Sequence, residues 1–386
     1  MSNNYLERSV YVQGTGMIKF GRYDNRSIED MAAEAIFAAL DDCGLTINDM
    51  QAVYCGCCFQ SNANPGQRIL KYIGQTGVAC INVANACATG ATAFREGWMA
   101  IKAGVCDAVL IIGVEKMGAG MIDAVGKPKT IYTEGIMGSS SMPAVFAEAG
   151  NVHMNKYGTT FEQFAKVSVK NHQHSIKNPL ARYQIETPLE EVMKAEMIAF
   201  PNTKLMCSVN VDGAAAAVLV SEKKAKQLGM KRSVKVLASV LTSDPYEERD
   251  LVMWDFSTLT RNAAKQAYEQ AGVGPQDLDL VELHDCFATA ELLHYENLGL
   301  CADGDAGKMI DDGSTWAGGK IPVNLSGGLL SKGHPIGATG VANVYEVVQH
   351  VRNEAGARQC EGAKIGLTHV LGLGSACAIH IFEGPK

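Results

Sequence analysis

The chain has little that would send it into a membrane, out of the cell or onto nucleic acid. No apolar run approaches the ~20 residues that a membrane helix needs. The longest, near Val105 to Val114, has only strand length and is broken by Asp107. Met1 to Tyr11 carries no basic leader ahead of an apolar stretch, so no secretory signal is expected, and Glu383-Gly384-Pro385-Lys386 is not a peroxisomal Ser-Lys-Leu tail. An excess of basic residues is missing too. The net charge of −7 argues against general nucleic-acid binding, while leaving room for a local patch that holds phosphates. The twelve cysteines lack the spacing of a small disulfide scaffold, which points to a reduced, cytoplasmic compartment with most of them as small buried hydrophobes. Cys55-Gly56-Cys57-Cys58 has no second Cys/His pair at zinc spacing. The glycines near 327–333 lack the Gly-Lys-Ser/Thr ending of a phosphate loop. No metal and no bound cofactor are expected.

What is present is a large interior. A chain of 386 residues, 47% hydrophobic and 19% charged, exceeds the size at which single cores stop growing. Strand and helix signals alternate in two series. The first runs through a strand at Val10–Thr15, an amphipathic helix at Ile28–Cys43, a strand at Ala52–Phe59, a helix at Ala88–Ala103 and strands at Ala108–Val114 and Ala214–Val220. The second has strands at Val234–Val240 and Leu278–Leu283, helices at Leu259–Ala271, Phe287–Leu300 and Gly337–Arg352, and a closing hairpin of Lys364–Val370 with Ala376–Phe382. Between Met117 and Thr203 the texture changes to Gly, Met, His and Ser, with helical patterns at Met142–Tyr157 and Thr160–Asn171. The expectation is an α/β fold in two halves, 1–230 and 231–386, with a loop domain of about 117–205 inserted in the first.

Three stretches carry the chemistry. Cys87 lies in Asn85-Ala86-Cys87-Ala88-Thr89-Gly90, at a strand-to-helix corner where helix-start N–H groups favour a thiolate and can donate to an oxyanion. A buried structural cysteine is the commoner fate of such a residue taken alone. His284 and Cys286 follow an apolar strand in His284-Asp285-Cys286-Phe287, two apart and so on one face of an extended segment, with Asp285 and Glu282 read as orienting or capping groups. His334 follows Gly327-Gly328-Leu329-Leu330-Ser331-Lys332-Gly333 and precedes a proline suited to a helix start, which sets an imidazole at a cavity edge able to take a thiol proton. A nucleophilic thiol, two imidazoles and a second thiol are the parts for acyl transfer through a thioester. Cys377 and His369, near the closing glycines, stand as further candidates for the same site. Met117, Met121, Met137, Met142 and Met154 suit either an acyl-chain tunnel or an adaptable core. Lys166, Lys170, Lys177 and Arg182, with His172 and His174, suit either a phosphate patch or a solvated helix face.

On these motifs, together with Gly113-Val114-Glu115-Lys116-Met117 and Asp212-Gly213-Ala214-Ala215-Ala216, nearly the whole chain resembles the thiolase superfamily, specifically its sterol-carrier-protein-type branch. The resemblance implies a thiolase-like five-layered αβαβα fold of two similar halves with an inserted loop domain. It implies that Cys87 is acylated, that His334 activates it, that His284 takes the oxyanion-hole place other thiolases give to an asparagine, and that Cys286 is the acid/base thiol. The position of the Cys-x-Gly-x-Gly thiol of other thiolases falls at Val370, so Cys377 is out of register for that role. The N–H groups of Gly372 and Cys87 would form a second oxyanion hole, and Ser208 matches a serine beside the pantetheine. Lys332, Met117 and Arg182 are the further expected contacts to substrate or coenzyme A. The implied activity is acyl transfer on 3-ketoacyl-CoA, by thiolytic cleavage with coenzyme A as co-substrate or by the reverse Claisen condensation. The implied assembly is a homodimer or dimer of dimers, with a small OB-fold protein as a partner that some relatives require.

Two other readings follow from the same resemblance. A retro-aldol lyase on β-hydroxyacyl-CoA side chains is one, disfavoured because such relatives often carry tyrosine in place of the Cys286 thiol. A non-catalytic acyl-CoA- or lipid-binding subunit is the other, opposed by the intact set of four chemical groups. A ketoacyl-synthase reading fits less well, since His284-Asp285-Cys286-Phe287 does not match its Cys-His-His or Cys-His-Asn sets.

Overall fold

A computed structural model describes residues 8–118, 142–245, 256–373 and 376–385. Its strands are β1 (Val10–Met17), β2 (Ala52–Gly56), β3 (Ala79–Val83), β4 (Ala108–Glu115), β5 (Met197–Ala199), β6 (Asn202–Thr203), β7 (Gly213–Ser221), β8 (Val234–Thr242), β9 (Leu280–Glu282), β10 (Ile365–Gly372) and β11 (Ala376–Glu383). Its α-helices are α1 (Ile28–Cys43), α2 (Pro65–Ile73), α3 (Thr89–Lys102), α4 (Met142–Tyr157), α5 (Phe161–Ser175), α6 (Leu189–Lys194), α7 (Glu222–Leu228), α8 (Phe256–Ala271), α9 (Ala288–Asn297), α10 (Ala306–Asp311) and α11 (Ile336–Val351).

Nine strands follow one another in the order β3-β2-β4-β7-β1-β8-β11-β10-β9. The join between β1 and β8 is slight, pairing only Tyr11 with Lys235 and Val12 with Val234. On either side of it the pattern repeats. β1–β7 and β7–β4 are antiparallel and β4–β2 is parallel, while β8–β11 and β11–β10 are antiparallel and β10–β9 is parallel. Even β3 has a counterpart: Val323 bridges Val281 in parallel, as β3 pairs with β2. The duplication too faint to see in residue identity is thus explicit in strand order and direction.

Helices fill the spaces in three layers. α1 covers the outer face of the first sheet, burying Met31, Ala35, Ile36 and Leu40 against Leu110, Ile112, Ala216 and Val218. α8 does the same for the second sheet through Leu259, Ala263 and Ala267 against Ala238, Val240, Ile379 and Ile381. Between the sheets lie α3 and α11, whose Phe94, Trp98, Val341 and Val344 pack with side chains from both. The result is the five-layered αβαβα arrangement. Helix α1 is closed at its start by the Ser27 side chain, which accepts from the Asp30 N–H, and at its end by Gly44 in the left-handed region. α4, α5, α6 and the small β5–β6 sheet form the inserted segment and pack onto the second half, with Phe146, Phe164 and Val167 in the same core as α8 and α9. Met142 and Met154 lean on that core, as adaptable core residues do. Met121 and Met137 lie outside the described residues.

The central helices cross with almost no space between them. A Cβ added at Gly90 would come within 2.7 Å of the Gly337 carbonyl, and one at Gly340 within 2.2 Å of the Ala91 nitrogen. Only glycine permits that approach. Its consequence is to bring the residues just before α3 and just before α11 to one place, and those residues are Cys87 and His334.

Candidate active site

Cys87 follows β3 and precedes the Ala88 cap of α3, 2% exposed. The corner is held by Thr89, whose hydroxyl donates to the Ala86 carbonyl (2.6 Å) and accepts from the Asn85 N–H (2.7 Å). Ala86 has φ +46°, a left-handed conformation without the glycine that usually supplies it. Such strain, of order 1–3 kcal/mol, gathers at functional sites. The corner turns the thiol away from solvent into a cluster with Met117, Ile336, Val370 and Ala378.

His334 enters from the other half. The chain before it makes a π-turn, Gly328–Lys332, and its own N–H donates to the Val209 carbonyl (2.8 Å). The imidazole Nδ1 is 2.7 Å from Thr339 Oγ1. The Thr339 hydroxyl sends its proton to the Pro335 carbonyl (3.1 Å), so Nδ1–H is the donor and Nε2 keeps its lone pair. That Nε2 is buried and has no hydrogen-bond partner among the described residues. Burial holds His334 neutral, its pKa lowered to about 3.

His284 and Cys286 come from the end of β9, 1% and 2% exposed. The His284 ring lies edge-on to that of His334, with centroids 5.2 Å apart, and among the described residues neither of its ring nitrogens has a partner. Its pKa is pushed well below the ordinary range by burial and by the neighbouring His334 and His369. The Cys87 sulfur and one ring nitrogen from each of His284 and His334 lie within 4.8 Å of one another. The Cys286 thiol is driven well above its usual pKa by burial and then by the nearness of Cys87 and Asp285. The Cys286 carbonyl accepts from the Ser208 N–H (2.9 Å), so Ser208 borders this turn.

The Cys87 thiol contradicts the expectation from its helix-start position. Burial raises it to about 12, with Cys58 nearby adding to the shift, against the lowering by the N–H groups of Leu373 and of Cys87 itself. Desolvation outweighs the helix terminus here, and the resting pair is a thiol beside a neutral imidazole. At this site it is the Leu373 N–H that acts on the sulfur. Gly372 instead lies against the Asn85–Ala88 turn, where a Cβ would meet the Asn85 carbonyl at 2.6 Å.

The expected contacts separate. Met117 is beside Cys87 and Ser208 beside Cys286. The backbone N–H of exposed Arg182 donates to the Lys332 carbonyl (3.0 Å), which puts Arg182 on the outside of the turn that carries His334. Lys332, expected at the substrate, is 1% exposed, with its ammonium 3.9 Å from Glu282 and 3.7 Å from Glu346, so the structure places it among buried carboxylates. The basic stretch is corrected likewise. Lys170 is fully buried on Glu291 (2.5 Å), and His172 and His174 are buried and neutral. Lys166 bridges Glu162 and Asp311, which leaves Lys177 and Arg182 as the exposed cations of that group. Cys377 lies in the core beneath α8 with Thr260 beside its thiol, apart from the Cys87 cluster. Cys55 and Cys57 are buried strand-end thiols, as expected of apolar cysteines.

Two supports hold the site: Asp285, which the sequence offers as an orienting or capping group, and Glu291, which it does not single out. Asp285 accepts from the N–H groups of Leu329 (2.8 Å) and Leu330 (3.2 Å) and from Asn171 Nδ2 (2.8 Å). It therefore ties the His284–Cys286 turn to the π-turn that carries His334. Glu291 extends the network through Lys170, Asn171, Asn324 and Tyr295. On the far side of His284, its N–H points to His369 Nδ1 (3.4 Å), and His369 packs edge-on against His294, with centroids 4.4 Å apart. His369 thus stands behind the His284 segment rather than among the reacting groups.

Known proteins are similar throughout. Residues 10–198 match the thiolase N-terminal domain family and residues 245–383 the thiolase C-terminal domain-like family. Sterol carrier protein 2 of Oryctolagus cuniculus is 40% identical over 392 residues, covering 97% of this chain and 72% of that protein. Acetyl-CoA acetyltransferase of Methanothermobacter thermautotrophicus is 39% identical over 389 residues, covering 97% and 100%. Among solved structures, an Ltp2-ChsH2(DUF35) aldolase superposes with a TM-score of 0.83 at 24% identity, covering 98% of each chain. Human mitochondrial 3-ketoacyl-CoA thiolase in complex with CoA gives 0.75 at 18% identity, covering 99% of each. At those identities the superpositions speak for the fold alone.

Proposed function

The chain belongs to the thiolase family, and from that premise we propose that it is a coenzyme A-dependent acyltransferase acting on 3-ketoacyl-CoA through an acyl group on Cys87. The observation that carries this reading is the convergence of the Cys87 sulfur with unpartnered nitrogens of His334 and His284 in one buried place. His334 Nε2 takes the Cys87 proton as the sulfur attacks the 3-keto carbon. Carbon–carbon cleavage leaves Cys87 acylated and the enolate of acetyl- or propionyl-CoA. A neutral His284 carries one N–H with no other partner to serve, free to donate to the enolate oxygen. One such donor is worth on the order of 100- to 1,000-fold in rate. Cys286, kept protonated by burial, gives its proton to the enolate carbon and regains one from coenzyme A, whose thiolate then lifts the acyl group from Cys87. His334 returns the first proton. The N–H groups of Cys87 and of the Gly372–Leu373 strand end serve the thioester oxygen. Condensation is the same path reversed.

Purified protein assayed with short, long and branched 3-ketoacyl-CoAs plus free coenzyme A, with acetyl-CoA condensation in parallel, is expected to release acyl-CoA from at least one of them. Aldehyde or ketone release from β-hydroxyacyl-CoA without thiolysis would move the protein to the retro-aldol reading. No reaction of either kind, alone or with a small OB-fold partner, would leave a binding subunit.

We further propose a homodimer or larger homo-oligomer. The apolar stretches 88–103 and 105–114 are consumed inside the chain, as α3 between the sheets and β4 in mid-sheet. The candidate surface is instead the sheet end, where β3 is terminal and incompletely buried, with Ile81 39% exposed and Tyr72 on neighbouring α2 57%. An apolar terminal strand is a natural place for a second chain to pair. Light scattering should give at least twice 41.2 kDa, and Ile81→Lys should shift the protein toward the monomer. An active 41 kDa monomer would contradict it. Within the described residues no helix is long and apolar enough to cross a membrane, and a cytoplasmic location remains part of the proposal.

A further inference from the structure

The donors that meet at Cys87 are all soft or borderline. They comprise one sulfur and two imidazole nitrogens within 4.8 Å of one another, on residues at most 4% exposed. The carboxylates closest in sequence are engaged elsewhere: Asp285 with Leu329, Leu330 and Asn171, and Glu282 with Ser326. Nitrogen–sulfur sets of this kind select zinc-like cations over magnesium or calcium. A tetrahedral zinc ion, with bonds of about 2.0–2.3 Å, needs its donors roughly 3.5 Å apart. His284 is free to turn to close any remaining gap, since among the described residues neither of its ring nitrogens is held by a hydrogen bond. His334 is already set as a metal ligand is set, with Nδ1–H donated to Thr339 and a buried Nε2 that has no partner among the described residues.

We propose that Cys87, His284 and His334 form a site for a thiophilic divalent cation, zinc above all, whose binding reversibly closes the catalytic pocket. The cation is an inhibitor and not a participant. Binding forms a Cys87 sulfur–metal bond and two nitrogen–metal bonds. The Cys87 thiol proton leaves to solvent, and no electrons are transferred. Affinity therefore rises with pH. The fourth position is left to water or to the neighbouring Cys286 sulfur. The site uses the same side chains as the proposed acyl transfer but needs none of that reaction to be true, only their geometry.

The test begins with Co²⁺ as a visible stand-in, added to chelator-washed full-length protein. The expected result is one equivalent per chain, giving a thiolate charge-transfer band and tetrahedral visible bands that Zn²⁺ bleaches, with at least one proton released per metal. Cys87→Ser and His284→Asn should each weaken binding by at least about tenfold, the scale on which even outer ligands matter. Cys80→Ser, a half-exposed thiol elsewhere, should leave it unchanged. Zn²⁺ should also slow iodoacetamide labelling of Cys87, read by peptide mass spectrometry. Wild-type protein alkylated at Cys87 beforehand should lose the bands, which tests the site without relying on a variant to fold. Bands that survive Cys87 alkylation, or labelling that ignores Zn²⁺, would overturn the proposal. Metal binding without any acyl-CoA turnover would sink the function proposed above and leave this site standing. Turnover indifferent to Zn²⁺ would do the reverse.

Discussion

Cys87→Ala is expected to abolish both turnover and acyl labelling, whereas Cys286→Ala should spare the labelling and lose the carbon chemistry. The two thiols sit in one buried pocket, each with its pKa raised by burial, yet they are asked for different things. In the proposed reaction Cys87, with a ring nitrogen of His334 within 4.8 Å, is the group that becomes covalent. Its loss removes the intermediate, and a drop of at least about 10,000-fold is the scale for a lost nucleophile. Cys286 has no acyl group to carry. Without it the enolate has no efficient proton donor, which costs about 100- to 10,000-fold in cleavage and in condensation. Transacylation from a simple acyl-CoA makes no enolate and should partly survive in Cys286→Ala. Incubation with acyl-CoA and peptide mass spectrometry reads the first half of this expectation, and paired thiolysis and transacylation assays read the second. An adduct confined to Cys286 or Cys377 would reverse the roles. A Cys286→Ala enzyme with near-normal cleavage would show that another group supplies the proton.

The groups that meet at Cys87 were legible because their surroundings are extreme in composition. Cys87 sits among small residues and His334 among glycines, and the close crossing of α3 and α11 that explains those glycines needs no detail beyond them. Most elements were legible for the same local reason, with Ile28–Cys43 and Met142–Tyr157 found at their observed limits. β3 was not, because a terminal strand whose residues are mostly half-buried has no alternation to show. Of the polar supports, Asp285 was legible as an orienting group, but its partners and Glu291 were not. Lys170 pairs with Glu291 across 121 residues and Asn171 reaches Asp285 across 114, so nothing near them distinguishes a buried ion pair from a solvated face. Lys332 misled for the same reason, since Glu282 and Glu346 come from elements remote in sequence. The direction of the Cys87 shift was a contest between a local dipole and a tertiary burial. Sequence shows the first and hides the second.

Burial of this kind extends to every imidazole in the chain, and the consequence is a steep loss of stability in mild acid. All nine histidines are buried. In eight of them burial lowers the pKa: to about 4 in His172 and His350, to about 3 in His174, His294, His334 and His380, and well below the ordinary value in His284 and His369. Below about pH 6.5 an unfolded chain protonates these side chains while the folded chain does not. The unfolded state then binds more protons, so stability rises with pH and falls as pH drops through 6.5 toward the folded values. Each such group contributes at most about 1.4 kcal/mol per pH unit in that window. Eight together approach a limit on the order of 10 kcal/mol per unit, comparable to the whole stability of a typical domain. The loss should therefore set in before the ordinary carboxylates titrate. Urea midpoints at pH 7.5, 6.5 and 5.5 are expected to fall measurably over the first interval, where an unfolded imidazole goes from about a tenth to about half protonated, and sharply over the second. Proton uptake on unfolding at pH 5.5, measured by calorimetry in buffers of different ionisation enthalpy, should exceed the few protons that carboxylates alone would take. A midpoint constant down to pH 5 would mean that these imidazoles titrate in the folded protein much as they do in the unfolded chain.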